Sequence, residues 1–303
     1  MKKKPIKIAY LLLCHKNPEQ VNLLTQELCK KKDSVYIHWN QKTYQTCVPK
    51  LFPNEQIHIL PYPESYPVSW GDFSICLAQL QLIRTALKED YDYFFSVSGQ
   101  DFPIVSQEEI HRLLEEAEGN DFIDVIQKDS PYYQVFSKRN QVFHPRFMIG
   151  TNLFSTLTRH LWYFVTGGKY KTFPCFFKES PFETLYYGSN WWCLSKDTLT
   201  KMIAYYDKCP NIQTFFSSSV CSDECLFQSL FMASSHQKKR QNNLTYIDWS
   251  EGKNHPKTLT IRDFETLIQN PYHKCMARKF DKNTDENILF RLQETINLPM
   301  EEP

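Results

Sequence analysis

The chain has 303 residues, 35 Lys and Arg against 34 Asp and Glu, and 15% aromatic side chains. That length can bury a sizeable core as one large domain or two small ones. The formal net charge of +1 argues against a general nucleic-acid binder, whose affinity comes mostly from neutralised phosphates.

Only eight glycines are present, and neither G-x-G-x-x-G nor G-x-x-x-x-G-K-[ST] occurs. A Rossmann fingerprint and a P-loop are therefore excluded. The ten cysteines are scattered and form no C-x-x-C pair, which predicts reduced thiols in a cytoplasmic protein. No zinc-ligand spacing is found. The start, Met1 to Lys7, is basic, but the apolar run Ile8–Cys14 stops at His15-Lys16. It is too short for a secretory signal and reads as a first β-strand. No run reaches transmembrane length.

In chain order, strands are expected over Ile6–Cys14, Ser34–Trp39, Ile57–Leu60, Tyr93–Val97 and Phe122–Ile126. Helices are expected over Pro18–Lys30, Ser69–Lys88 and Glu108–Glu118. This alternation predicts an α/β fold with a mainly parallel sheet flanked by helices. Ligands of such sheets bind beyond the carboxyl ends of the strands. That rule puts Cys14-His15-Lys16, Asn40 and Ser98–Asp101 on one rim.

From Ser130 through Lys178 there is no Asp or Glu, while Lys138, Arg139, Arg146, Arg159, Lys169, Lys171 and Lys178 all fall there among many aromatics. Two readings weigh equally. One is a basic amphipathic surface for an anionic acceptor or the inner face of a membrane. The other is a solvated edge beside core aromatics.

The chain is organised around Tyr187–Ala233. Ser222 is a good N-cap, Asp223 and Glu224 fall in a first turn, and Leu226, Phe227, Leu230 and Phe231 recur at helical spacing. A first-turn carboxylate commonly just offsets the helix dipole. Here Glu224 has company in Trp191 and Trp192, indoles suited to a core or to a sugar-stacking wall. A carboxylate at a helix mouth beside aromatic faces can act as general base for a hydroxyl. Beyond it, a polar loop over Ser234–Asn243 leads to a strand at Leu244–Trp249. Thr260 can cap a helix over Asp263–Gln269, and a charged tail runs from Lys282.

The one D-x-D, Asp90-Tyr91-Asp92, precedes the strand Tyr93–Val97 and so lies at the wrong end of the sheet for a metal-diphosphate site. It reads as a solvated turn. At the rim, Asp101 is the lone carboxylate, a poor Mg²⁺ or Mn²⁺ site. Without a metal, cations must meet a departing diphosphate, and Lys257, Lys279 and Arg278 are the candidates.

Taken together, Ile8-Ala9-Tyr10 with Cys14-His15-Lys16, Tyr36-Ile37-His38, Val68-Ser69-Trp70-Gly71, Ser98 through Ile104, Gly188-Ser189-Asn190-Trp191-Trp192, Ser222-Asp223-Glu224 and Ala277 through Asp281 resemble one family. It is the core-2/I-branching N-acetylglucosaminyltransferase and peptide O-xylosyltransferase family, glycosyltransferase family 14. The matches come in order and span nearly the whole chain. The resemblance implies a GT-A fold, a UDP-sugar donor carrying GlcNAc or xylose, inversion at the anomeric carbon and no metal or other cofactor. Glu224 matches the catalytic base, Lys279 the diphosphate lysine and Lys257 a second phosphate residue. Cys14, His15, Lys16 and Asn40 match uridine-binding strand ends, where the family usually has Asp in place of Asn40.

Gln100 and Asp101 join the nucleotide set by their place on the rim. Trp191, Trp192, Trp249, Lys138 and Arg139 are assigned to the sugar and acceptor wall. A bacterial-type, cytoplasmic member is expected, with a glycan or glycolipid acceptor and a peripheral contact at the inner membrane through residues 130–178. A single domain is expected, divided into a nucleotide half (1–129), an acceptor and catalytic half (130–281) and the tail (282–303). The competing readings are a metal-dependent nucleotide-sugar enzyme on the same sheet, or a non-catalytic glycan- or membrane-binding protein.

Overall fold

A computed structural model of the chain describes residues 5–150, 153–167, 177–235, 240–252 and 255–298. Among them, ten strands form two sheets: β1 (Ile8–Cys14), β2 (Ser34–Trp39), β3 (Ile57–Ile59), β4 (Tyr93–Ser98), β5 (Asp101–Pro103), β6 (Asp121–Phe122), β7 (Cys193–Ser195), β8 (Arg240–Gln241), β9 (Thr245–Ile247) and β10 (Met276–Arg278). The larger sheet runs β3-β2-β1-β4-β7-β6-β8, and the smaller β5-β10-β9. Strands β3, β2, β1 and β4 are mutually parallel, and β7 enters antiparallel to both β4 and β6. The sheet is thus mostly parallel, with one reversed strand inside it.

The central strands β1, β2 and β4 are near-continuous apolar runs because both of their faces are covered. Alternate residues of β1 point to opposite sides. Ile8, Tyr10 and Leu12 join one core with Val21, Leu24 and Leu28 of the helix Pro18–Leu28. Ala9 and Leu11 join the other, with Leu80 and Ile83 of the helix Ser74–Ala86 and Leu230 and Phe231 of the helix Leu226–Ser235. Register places Cys14 beside Trp39 and Leu13 beside Ser98, so the carboxyl ends of the three strands form one rim.

Several expected boundaries move. The helix expected from Ser69 begins at Ser74, because Gly71 takes φ +79° and Asp72 Oδ1 accepts the Ser74 N–H at 2.7 Å. The strand expected over Phe122–Ile126 is only Asp121–Phe122. Within the expected tail, Asn287–Ile296 is a helix whose Ile288, Leu289 and Leu292 pack into the first core. The acid-free stretch holds the helices Pro131–Asn140 and Leu153–Val165. Lys169 and Lys171 lie outside the described residues, and for Lys138 only the backbone is described.

Candidate active site

At the rim, the end of each central strand is tied to its neighbours. Asn40 N–H donates to the Cys14 carbonyl at 2.8 Å, and its Nδ2 donates to the Val68 carbonyl at 2.8 Å. That second bond needs an amide N–H and could not be made by a carboxylate, which gives a local reason for Asn at this position. Cys14 is buried, and burial next to Asp101 pushes its thiol well up. Asp101 is also buried and accepts from Ser98 N–H at 2.8 Å and from Ser98 Oγ at 2.9 Å. Gln100 is buried too, its carbonyl accepting the Phe280 N–H at 2.8 Å. The side chains of Cys14, Gln100 and Asp101 are therefore buried beneath the rim. His15, Lys16 and Asn40 remain at its surface.

Strand β10 delivers the cations. It pairs antiparallel with β5, setting Arg278 opposite Asp101. Arg278 Nη1 lies 3.2 Å from Asp101 Oδ1, and its guanidinium stacks 3.7 Å from the centre of the Trp191 ring. Its Nε finds no hydrogen-bond acceptor among the described residues. Lys279 follows. Partial burial lowers its ammonium, helped by the positive fields of Lys16 and Arg278, with Asp281 and Asp101 opposing. Lys16 Nζ is held 2.5 Å from Asp281 Oδ2, and Asn17 Nδ2 donates to Asp281 Oδ1 at 2.8 Å. His15 is held below its usual range, first by desolvation and then by Lys16 and Lys279. Lys16, Arg278 and Lys279 thus form one positive cluster. Among the described residues the Lys279 ammonium has no ion-pair partner.

Glu224 approaches from the other half of the chain. Ser222 does not cap a helix as its sequence predicts. Its Oγ donates to the Phe216 carbonyl at 3.1 Å, and Ser222–Glu224 form a short 3₁₀ turn before the helix Leu226–Ser235. The turn is pinned by Gly188, whose N–H donates to the Glu224 carbonyl at 3.0 Å. Glu224 Oε2 accepts from Arg139 Nη1 at 2.8 Å. Burial raises the Glu224 carboxyl, and the neighbouring Asp223 charge adds to this, with Arg139 opposing. Asp223 is raised by burial against the pull of Arg139 and Arg278. Asp223 thus feels the charges of both Arg139 and Arg278.

Other expectations separate. Lys257 Nζ is bound to Asp263 Oδ1 at 2.6 Å and lies 3.7 Å from Asp248 Oδ2. Its segment still runs beside Lys279, since Leu259 N–H donates to the Lys279 carbonyl at 2.8 Å. Trp192 is fully buried against Phe227 and is a core residue, not a wall; only Trp191 of the pair reaches the site. Trp249 is exposed after β9. Arg139, assigned to the acceptor wall, is the ion-pair partner of Glu224.

At the opposite edge of β4, Asp90 pairs with Lys196 at 3.0 Å and Asp92 Oδ2 accepts the Lys7 N–H at 2.8 Å. A surface cavity of about 460 Å³ opens there beside both aspartates. Among the described residues, no three His, Cys, Asp or Glu side chains converge as a metal ligand set. Sequence reasoning missed Asp281, Asn17 and Gln20. Gln20 Nε2 donates to the Gly99 carbonyl at 3.0 Å and its Oε1 accepts the Lys282 N–H at 2.8 Å. The polar residues on the buried side of the first helix were the available signal.

Comparison with known proteins gives the class. Residues 8–269 match the family described as Core-2/I-Branching enzyme. The chain belongs to that family. It is 30% identical over 131 residues to "Xylosyltransferase sqv-6" of Caenorhabditis briggsae, and 29% identical over 129 residues to the protein of the same name in Caenorhabditis elegans. Each match covers 40% of this chain and 16% of the relative. The shared region is thus a small part of those longer proteins.

Proposed function

We propose that the chain moves a sugar from a UDP-sugar to a hydroxyl of a glycan acceptor by one inverting displacement, without a metal. Glu224 takes the acceptor hydroxyl proton while that oxygen attacks C1 from the face opposite the nucleotide. The bond from C1 to the diphosphate oxygen breaks, and UDP leaves with the electron pair. Lys279, Lys16 and Arg278 stabilise that charge, as fixed cations in a partly desolvated site do. Lys257, paired with Asp263 as Lys16 is with Asp281, is the second lysine for the diphosphate. Trp191, stacked on Arg278, forms the sugar wall. His15 and Asn40 meet the nucleoside. Xylose is the first donor to test because both relatives carry that name, with GlcNAc next. A cytoplasmic setting with peripheral membrane contact through residues 130–178 belongs to the same proposal.

The observation that supports this reading is Glu224, half-buried and bonded to Arg139 in a turn pinned by Gly188, next to Asp223, which feels the charge of Arg278. Glu224→Gln should lose about a hundred- to ten-thousandfold in turnover while UDP affinity by calorimetry is kept. In the parent, kcat/KM should rise with pH along a limb lying above 4.5, the ordinary Glu value. Burial and Asp223 disfavour the charged base, so activity grows as the proton is lost. Full turnover in Glu224→Gln sinks the assignment.

A further inference from the structure

Arg139 grips the segment that carries Glu224 at two points. Its carbonyl accepts the Val220 N–H at 2.9 Å, and its Nη1 donates to Glu224 Oε2 at 2.8 Å. The guanidinium is itself seated on Phe136, one helical turn earlier, with its carbon 4.7 Å from the ring centre. Phe136 packs against the Tyr187 ring at 5.9 Å. The next residue, Gly188, donates its N–H to the Glu224 carbonyl at 3.0 Å. The contacts close a ring, from Arg139 through Phe136, Tyr187 and Gly188 to Glu224 and back. Backbone and carboxylate of Glu224 are both held by it.

We propose that Arg139 is a positioning residue for the transfer, its guanidinium setting both the direction and the charge of the Glu224 carboxylate. The inference rests on the sugar-transfer reading. Direction follows from the bonding. Oε2 is engaged by Arg139, and among the described residues Oε1 accepts no hydrogen bond, so Oε1 is the atom left to receive the proton of the acceptor hydroxyl.

Charge follows from the surroundings. Burial and the Asp223 carboxylate disfavour a second negative charge in this turn, and a protonated Glu224 could take no proton from a hydroxyl. The titratable and charged groups packed around it are Asp223, Cys221 and Cys225 of its own segment, Cys76 of the helix Ser74–Ala86 and Tyr187; Arg278 acts on Asp223 and Lys178 on Cys225. Burial holds the three thiols and the phenol in their neutral forms. Arg139 is the cation bonded to Glu224 itself, and it opposes both effects that would protonate the base.

The direct readout is the ionisation of Glu224. Carbon-13 NMR of the full chain labelled at the glutamate Cδ gives its titration midpoint, the line being assigned by its absence from Glu224→Gln. Arg139→Met should raise that midpoint by about one pH unit, the low end of what an adjacent cation contributes, and Arg139→Lys by less. UDP release from UDP-xylose, with water in place of the acceptor hydroxyl, should fall about tenfold on the acid side of the parent midpoint. Most of that loss should be recovered as pH rises, with UDP affinity kept. An unmoved midpoint in Arg139→Met, or in Arg139→Gln should the first variant misfold, overturns the proposal. So does a loss of turnover that is the same at every pH, the mark of a merely structural pair. Full turnover in Glu224→Gln, or a parent that releases no UDP from UDP-xylose or UDP-GlcNAc, sinks the sugar-transfer reading instead; the midpoint shift reports on Arg139 without any turnover.

Discussion

Replacing Gly188 by Ala tests how Glu224 is placed. A Cβ on Gly188 would lie 2.1 Å from the Asp124 carbonyl oxygen and 2.8 Å from its carbon. Both are backbone atoms, so no rotamer change relieves the overlap. Asp124 cannot easily retreat, because its Oδ1 accepts the Asn243 N–H at 2.8 Å and the flanking Ile123 and Ile126 N–H groups are bonded to Gln241 and Tyr187. The Gly188 segment must move instead, losing its 3.0 Å bond to the Glu224 carbonyl. Overpacking costs about 1–3 kcal/mol and a lost backbone bond about 0.5–1.5 kcal/mol, together about 1.5–4.5 kcal/mol. For a chain of this size that lowers Tm by roughly 2–7 °C.

Thermal unfolding by circular dichroism measures that shift, and turnover with saturating UDP-sugar reads the displaced base. Gly99→Ala is the internal comparison. Its Cβ would meet side chains, Val21 Cγ2 at 3.0 Å and Cys14 Sγ at 3.1 Å, which can adjust, so its cost should be smaller. Unfolding of Gly188→Ala at or above the parent temperature, or a greater loss in Gly99→Ala, would refute the reasoning.

Lys279→Ala should weaken UDP binding about 10- to 100-fold, the worth of one or two charge-assisted contacts. Lys257→Ala, whose charge is already met by Asp263, should weaken it less; calorimetry giving the reverse order would reassign the diphosphate site. Trp192→Ala should cost about 3–5 kcal/mol of stability, whereas Trp191→Ala should cost less stability and more activity. Equal stability losses would contradict the inward and outward placement of the two indoles. Burial lowers Lys178 to about 7, with Nζ donating to the Phe215 carbonyl and Ser219 Oγ at 2.6 Å each. Its folded value lies below its unfolded one, so stability is greatest at high pH and is lost as pH falls from 10.5 toward 7. Lys178→Met should therefore compare more favourably with the parent at pH 7 than at pH 10, and a pH-independent difference in Tm would exclude this.

Local pattern was enough for much of the chain. Apolar runs located β1, β2 and β4, whose burial on both faces leaves little choice of residue. The rule of strand carboxyl ends placed His15, Lys16 and Asn40 on one rim, where the structure has them. The ordered motifs were sufficient for the family that residues 8–269 match. The sequence also marks the acid-free stretch, though not which of its side chains stay uncovered.

Tertiary structure alone decided which charges meet. Arg139 and Glu224 are 85 residues apart, and Lys16 and Asp281 are 265 apart. Nothing in either local pattern names the partner. Lys257 and Lys279 look alike as surface lysines, and only the fold gives one an aspartate and leaves the other facing like charges. Trp191 and Trp192 are chemically identical neighbours, yet successive residues leading into β7 point to opposite sides, so one fills the core and the other lies under Arg278. Periodicity is a property of a short segment and can be read from it. Charge pairing and exposure depend on how distant segments cross, which no window of sequence contains.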